Sequence, residues 1–316
     1  MAELVFLSAR DVRELVDLDA LRGAVADAFR RFSDGRSSVP PRIFAVAPDG
    51  ILGAMPVHLA DVATAAKLVT VFPGNAERGG ESHQALIVVF DSTTGTPVAV
   101  MDGTHITAVR TAAATAVGVE VLARPDARVL AVLGAGVQGR SHLDAVTRVR
   151  DFGEIRVASR TRAHAEALAS EHPSARAVAS FEEAVRGADV VCCCTDAQEP
   201  VLRASWITAR GVHVASVGGT FGPELDAATV RAGRVFVEWR GAVTNPPHAG
   251  AHDLQGLDPD AVTELGEVLS DRRPGRLSAD EMTVYKSTGH AVEDAAAARL
   301  VLDRADATGV GIRLTL

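Results

Sequence analysis

The sequence predicts an α/β protein built from a doubly wound parallel sheet and a second, α+β domain. Three observations carry that expectation. From Arg128 onward, apolar strand-like runs alternate with helical runs. Residues 42–102 instead hold short apolar segments separated by Gly, Pro, Asn and Asp. A glycine-rich hexad, Gly134 to Gly139, stands where a strand should turn into a helix.

Taken in order, residues 10–33 place Leu and Val at helical spacing and stop at Gly35, which predicts one helix. The segments RIFAVAP, ILGAMPV, AAKLVTVFPG, ALIVVFD and PVAVMDG predict strands of an antiparallel or mixed sheet. Asp91 and Asp102 close strands and are expected to make turns. Thr104 is placed to cap a helix running to Ala123, before Pro125. RVLAVLG then reads as a buried strand and VQGRSHLDAVTRV as a helix. EIRVAS and RAHAEALASEH repeat the pair, and ADVVCCCT and HVASVGG continue the series. Residues 241–260 read as a Gly/Pro/His-rich loop, and His290 to Ala307 as a last helix that packs back on the first domain.

The 316 residues are 47% hydrophobic and 23% charged, enough for sizeable cores in one large or two medium domains. The net charge of −8 and the lack of a basic block argue against nucleic acid or an anionic membrane as partner. No apolar run is long enough to span a bilayer, and residues 1–10 lack a signal-peptide layout. Cys192, Cys193 and Cys194 are consecutive, so neighbours on a strand point to opposite faces and read as buried, reduced thiols. A cytoplasmic protein is therefore expected. His248 and His252 lie four apart, but Pro246, Pro247 and Gly250 exclude a regular helix there, and no metal site is expected.

Gly134-Ala135-Gly136-Val137-Gln138-Gly139 is a G-x-G-x-x-G between a buried strand and a helix, the context that makes it a dinucleotide cradle. Gly134 allows the tight turn, Gly136 the approach of a pyrophosphate, and Gly139 close helix–strand packing. Gln138 lies inside the cradle and is expected to hydrogen-bond the cofactor or a loop. At the end of the next strand, where an acid would read the ribose of NAD, stand Ser159, Arg160, Thr161 and Arg162. Two arginines and two hydroxyls suit a 2′-phosphate, so NADP(H) is expected over NAD(H).

Of 32 basic residues only Lys67 and Lys286 are lysine. Arginine replaces lysine freely on most solvated surface, but not where a compact ammonium must fit a shaped site. Both lysines are therefore candidates for function. Arg110 stands out for another reason: it is a charge inside the otherwise small and apolar run RTAAATA.

Over nearly its whole length the sequence resembles the ornithine cyclodeaminase/mu-crystallin family. The matching stretches are KLVTVFPGN (67–75), SHQA (82–85), VMDGTHITAVRTAAATA (100–116), LGAGVQGRSH (133–142), SRT (159–161), SVGG (216–219), LGEVL (265–269) and YKSTGHAVEDAAAARL (285–300). The resemblance implies a substrate-binding and dimerisation domain (residues 1–117 and 291–316) and an NAD(P)-binding Rossmann domain (118–290). It also implies a homodimer and a small carboxylate substrate. By the same resemblance, Arg42, Lys67 and Arg110 hold the substrate carboxylate, and Thr195, Val217, Gly218 and Lys286 join the cofactor side. Thr220 faces the substrate, and His83 or Lys67 protonates the reacting nitrogen. A lysine close to two arginines should have its pKa lowered, which suits a proton donor.

The family holds several chemistries, and the residues choose among them. Its cyclodeaminases carry an acid after the Gly-Gly that corresponds to Gly218-Gly219, where this chain has Thr220. They carry a glutamate two positions before a Met-Pro pair, where Met55-Pro56 is here preceded by Gly53 and Ala54. SHQA, SRT and YKS resemble the ketimine reductases of the mu-crystallin branch. The expected activity is NADPH-dependent reduction of a cyclic ketimine carboxylate of pyrroline- or piperideine-2-carboxylate type. The alternatives are reductive amination of a 2-oxo acid (alanine dehydrogenase or opine type), ornithine cyclodeamination, and non-catalytic binding of NADPH and a small ligand.

Overall fold

The computed structural model describes residues 3–219 and 221–315, without the side chains of residues 76 and 77. The chain divides into two compact units. One comprises the residues up to Arg110 together with those from His290 onward, and the other is Thr111–Gly289. The first boundary falls inside a helix.

The first unit opens with β1 (Glu3–Leu7), α1 (Ala9–Leu15) and α2 (Leu18–Ser33). The single helix expected over 10–33 is thus two. Val16 is extended, and the Asp17 carboxylate accepts from the Asp19 and Ala20 amides, starting α2 afresh. Buried Leu21, Val25, Ala28 and Phe29 give α2 its apolar stripe. Then follow β2 (Ser37–Ser38), β3 (Ile43–Ala47), β4 (Gly50–Leu59), β5 (Ala63–Val71), β6 (His83–Phe90) and β7 (Pro97–Asp102). The five strands expected in 42–102 are all present. α3 (Gly103–Leu122) follows directly. Asp102, not Thr104, serves its first turn by accepting from the His105 amide (2.8 Å). Thr104 instead accepts from the Ala85 amide on β6 (2.9 Å).

The second unit contains β8 (Val129–Leu133), α4 (Val137–Thr147), β9 (Glu154–Ala158), α5 (Arg162–Ala169), β10 (Ala175–Ala177), α6 (Phe181–Val185), β11 (Val190–Cys193), β12 (His213–Ser216), α7 (Ala227–Ala232), β13 (Arg234–Val237), α8 (Gly241–Thr244), β14 (Thr263–Glu264), α9 (Leu265–Leu269) and β15 (Thr283–Lys286). The expected loop 241–260 therefore starts as a helical turn, and a short 3₁₀ turn covers His252–Leu254. The chain closes in the first unit with α10 (Ala291–Thr308) and β16 (Ile312–Thr315).

Among the described residues, the first sheet runs β16-β1-β7-β6-β5-β4, with β2 and β3 both pairing β4. It is mixed: β1 pairs β7 in parallel and the rest is antiparallel. α10 packs against α2 and across β4, β5 and β6. The second sheet is parallel throughout, in the order β10-β9-β8-β11-β12-β15-β13-β14. Its order reverses between β8 and β11, the switch point at which doubly wound sheets bind ligands. No helix among the described residues is long and apolar enough to cross a membrane.

Candidate active site

The first unit buries a cluster of charges. Strand alternation puts Lys67 on the covered face of β5, opposite Ile87 and in line with buried Ala65, and leaves it 2% exposed. α10 lays its first turn over that face, bringing Glu293 and Asp294 with it. Carboxylates suit this position because the helix N-terminus carries a partial positive charge. Lys67 Nζ donates to Asp294 Oδ1 (2.9 Å) and lies 2.8 Å from Oδ2. Arg110, on α3, donates from Nε to Asp294 Oδ1 (3.0 Å) and from Nη1 to Glu293 Oε2 (2.9 Å).

Burial pushes the Lys67 ammonium down to about 8, helped by the charge of Arg110 and more weakly by Arg42, while Asp294 works in the opposite direction. Burial alone would raise the Asp294 carboxyl, but Arg110 and Lys67 hold it below its ordinary value. His290, next to α10, is driven down to about 3 by burial, so it is neutral. Arg42, Lys67 and Arg110 thus form one electrostatic group. Arg110 holds both carboxylates of the first turn of α10 through Nε and Nη1. His83 is not beside Lys67. It is exposed at the start of β6, on the same sheet face but four residues along, about 13 Å at strand spacing.

The second unit holds the cradle. Gly134 has φ +104, and a Cβ there would lie 2.4 Å from the Cys194 carbonyl oxygen. A Cβ on Gly139 would lie 2.1 Å from the Gly134 carbonyl oxygen, so close helix–strand packing requires glycine. On Gly136 a Cβ would meet nothing within 4 Å, so this backbone is open to a ligand. Gly136 is also the N-cap of α4, and no side chain caps it, which leaves the first amides of the helix for an anion. Gln138 Oε1 is buried with no protein partner. The open Gly136 backbone and the uncapped amides of α4 fit the pyrophosphate of a dinucleotide.

Buried His142 holds the helix in place. Its Nδ1 must donate to the Gln138 carbonyl (2.7 Å), so Nε2 accepts from Thr115 Oγ1 (3.0 Å). At the end of β9, Ser159 Oγ accepts from the Thr161 amide (3.4 Å), and Thr161 is the N-cap of α5. Arg160 and Arg162 are exposed and each meets an acid: Asp196 at 3.1 Å and Glu166 at 2.8 Å.

Lys286 is held by partners within the second unit. It is fully buried: Nζ donates to Ser216 Oγ (2.8 Å) and the Gly218 carbonyl (2.9 Å) and forms an ion pair with Asp253 Oδ2 at 2.7 Å. Thr195 donates from its amide and hydroxyl to Glu224, and Val217 bonds through its amide to the Cys193 carbonyl. Thr220 lies outside the described residues. Burial pushes the Cys192 thiol up to about 12 and raises Cys193 and Cys194 well above the ordinary thiol value, which disfavours the reactive thiolate in all three. Sequence reasoning missed Glu293, Asp294, Glu224 and Asp253. For the first pair a signal existed: two acids stand beside an alanine run, much as Arg110 does.

A dinucleotide cradle and a buried lysine–arginine cluster in one chain define a nicotinamide-dependent oxidoreductase acting on a small anion. The chain belongs to the ornithine cyclodeaminase/mu-crystallin family, whose model matches residues 2–309. It is 40% identical over 309 residues to the ketimine reductase mu-crystallin of Mus musculus, covering 94% of this chain and 96% of that one. It is 32% identical over 324 residues to the alanine dehydrogenase of Archaeoglobus fulgidus, covering 99% and 98%. The solved structure of Thermococcus litoralis Delta(1)-pyrroline-2-carboxylate reductase with NADH and L-proline superimposes with a TM-score of 0.92. That match has 33% identity and covers 98% of this chain and 99% of the other.

Proposed function

We propose that this chain is an NAD(P)H-dependent imine reductase that converts small cyclic ketimine carboxylates, of pyrroline- or piperideine-2-carboxylate type, to cyclic amino acids. The observation that carries the reading is Lys67: an ammonium buried among Arg110, Arg42 and Asp294, with its pKa brought to about 8. Such a group is charged at neutral pH and still a competent acid. Lys67 and Arg110 attract the substrate carboxylate, and Arg42 adds a further positive charge. Lys67 gives its proton to the imine nitrogen, which makes the ring carbon electrophilic. Gly134 to Gly139 hold the pyrophosphate of the dinucleotide, and when bound its reduced nicotinamide supplies the hydride. Ser159, Arg160, Thr161 and Arg162 select NADPH over NADH through the 2′-phosphate. Thr220 and Gly53 stand where the family's cyclodeaminases carry acids, which argues against cyclodeamination.

The chain acts as a cytoplasmic homodimer. Ile43, Leu52, Leu68 and Leu86 share one sheet face, are 43–70% exposed, and make an apolar surface suited to a second copy.

The test is oxidation of NADPH, with NADH in parallel, against pyrroline-2-carboxylate, piperideine-2-carboxylate, and pyruvate with ammonia or methylamine. Turnover of a cyclic imine with NADPH preferred is the expected result. Turnover of pyruvate and amine alone would place the chain with the alanine dehydrogenases. Binding of NADPH without any turnover would make it a binding protein.

A further inference from the structure

The second unit contains a chain of charges that the reduction itself does not use. Glu224 is fully buried and its carboxylate is saturated. Oε1 accepts from the Thr195 amide (2.7 Å) and hydroxyl (2.6 Å). Oε2 accepts from Ser216 Oγ (2.7 Å) and the Gly218 amide (2.8 Å). Asp253 holds Glu224 in turn: its Oδ1 accepts from the Glu224 amide (2.7 Å) and the Leu225 amide (2.6 Å). Lys286 closes the circuit on Asp253 Oδ2, Ser216 Oγ and the Gly218 carbonyl.

Thr195 follows β11, and Gly218 follows β12. Glu224 therefore ties together the two loops leaving the C-terminal ends of neighbouring parallel strands. Their approach is tight, since a Cβ on Gly218 would lie 2.2 Å from the Thr195 carbonyl oxygen. Thr195 also touches the cradle: a Cβ on Gly134 would lie 3.1 Å from its Cγ2. In a doubly wound sheet the dinucleotide lies across the switch point. With the 2′-position read at the end of β9, the adenosine half falls on the β9 side of β8. The nicotinamide half would then fall on the β11–β12 side, over these two loops.

We propose that Lys286, Asp253 and Glu224 are positioning residues that fix the 195 and 218 loops and so shape the seat of the nicotinamide half. This rests on the dinucleotide reading of the cradle. It also accounts for a lysine at 286: three partners in different directions suit a compact ammonium and not a planar fork.

The test compares whole cofactors with their adenosine fragments. Dissociation constants for NADPH and adenosine 2′,5′-bisphosphate, and for NADH and ADP, are measured on the full-length protein. The variants are Glu224→Gln and the double variant Lys286→Met/Asp253→Asn. The first turns one saturated oxygen into a donor that faces donors. The second removes both charges of the pair at once, which spares the fold a stranded buried ion. Both should weaken the whole cofactor by about tenfold or more while the fragment stays within about twofold, the worth of one buried hydrogen bond lost at one end of the ligand. Equal weakening of cofactor and fragment would show a merely structural role and overturn the proposal, as would no weakening of either. Failure of the unaltered protein to bind any of the four ligands would instead overturn the dinucleotide reading.

Discussion

Lys67 Nζ lies 2.8 and 2.9 Å from the two oxygens of Asp294, a residue 227 positions away, and both side chains are 2% exposed. Asp294 Oδ1 also receives Arg110, so one carboxylate is shared by the two cations assigned to the substrate. The balance decides the chemistry. Burial, Arg110 and Arg42 lower the pKa of Lys67, and Asp294 stops the fall near 8.

Imine reduction should therefore lose rate above about pH 8. Protonated Lys67 is the active form, so kcat/KM stays level on the acid side of its pKa and falls as the proton leaves. Lys67→Arg should abolish that alkaline limb, since a guanidinium keeps its proton, and cost about 10²–10⁴ in rate. A profile that stays flat from neutral to strongly alkaline pH would exclude Lys67 as the acid.

Asp294→Asn should move the same limb to lower pH. Asp294 raises the pKa of Lys67, and its loss leaves burial and two arginines unopposed. Stability should fall by roughly 3–5 kcal/mol, because two buried cations lose a counter-charge. Denaturant unfolding and a pH profile of the variant check the two effects separately.

Cofactor choice should answer to Arg160 and Asp196. Arg160→Ala should raise KM for NADPH by about tenfold and leave KM for NADH nearly unchanged, through loss of a charge-assisted contact. Asp196→Asn should do the reverse, because the acid competes with a 2′-phosphate for Arg160. Both side chains are 79% exposed, so the Asp196 effect should shrink at high salt. Equal response of the two cofactors to Arg160→Ala would count against the NADPH preference.

Two glycines of the cradle should separate folding from binding. Gly139→Ala forces a Cβ to within 2.1 Å of a backbone oxygen and should lower both the melting temperature and cofactor affinity. Gly136→Ala meets no protein atom within 4 Å, so the melting temperature should hold while cofactor affinity falls. Thermal melts and cofactor titration of the two variants give the comparison.

Much of this was legible because it is local. Apolar alternation marks the strands between 42 and 102, and the hexad at 134–139 needs only its flanks to be understood. The break between α1 and α2 escaped because Val16 and Asp17 keep the apolar rhythm while the backbone turns away. The partners of Lys67 and Lys286 escaped for a different reason. Rarity of lysine identifies both residues, but only folding brings Asp294 and Asp253 to them. Their partners, not residue type, then separate the lysine proposed for catalysis from the one proposed to brace two loops.

The first unit is discontinuous, and that bears on the order in which the molecule is made. Thr111–Gly289 is one unbroken segment and can fold as it leaves the ribosome. β4, β5 and β6 must wait, because α10, the helix that covers them, is translated after the whole of that segment. Until then Lys67 has no Asp294, and the sheet face that will bury it stays open to water and to chaperones. The charge pair at the proposed catalytic centre can thus form only after the whole of Thr111–Gly289 has been made.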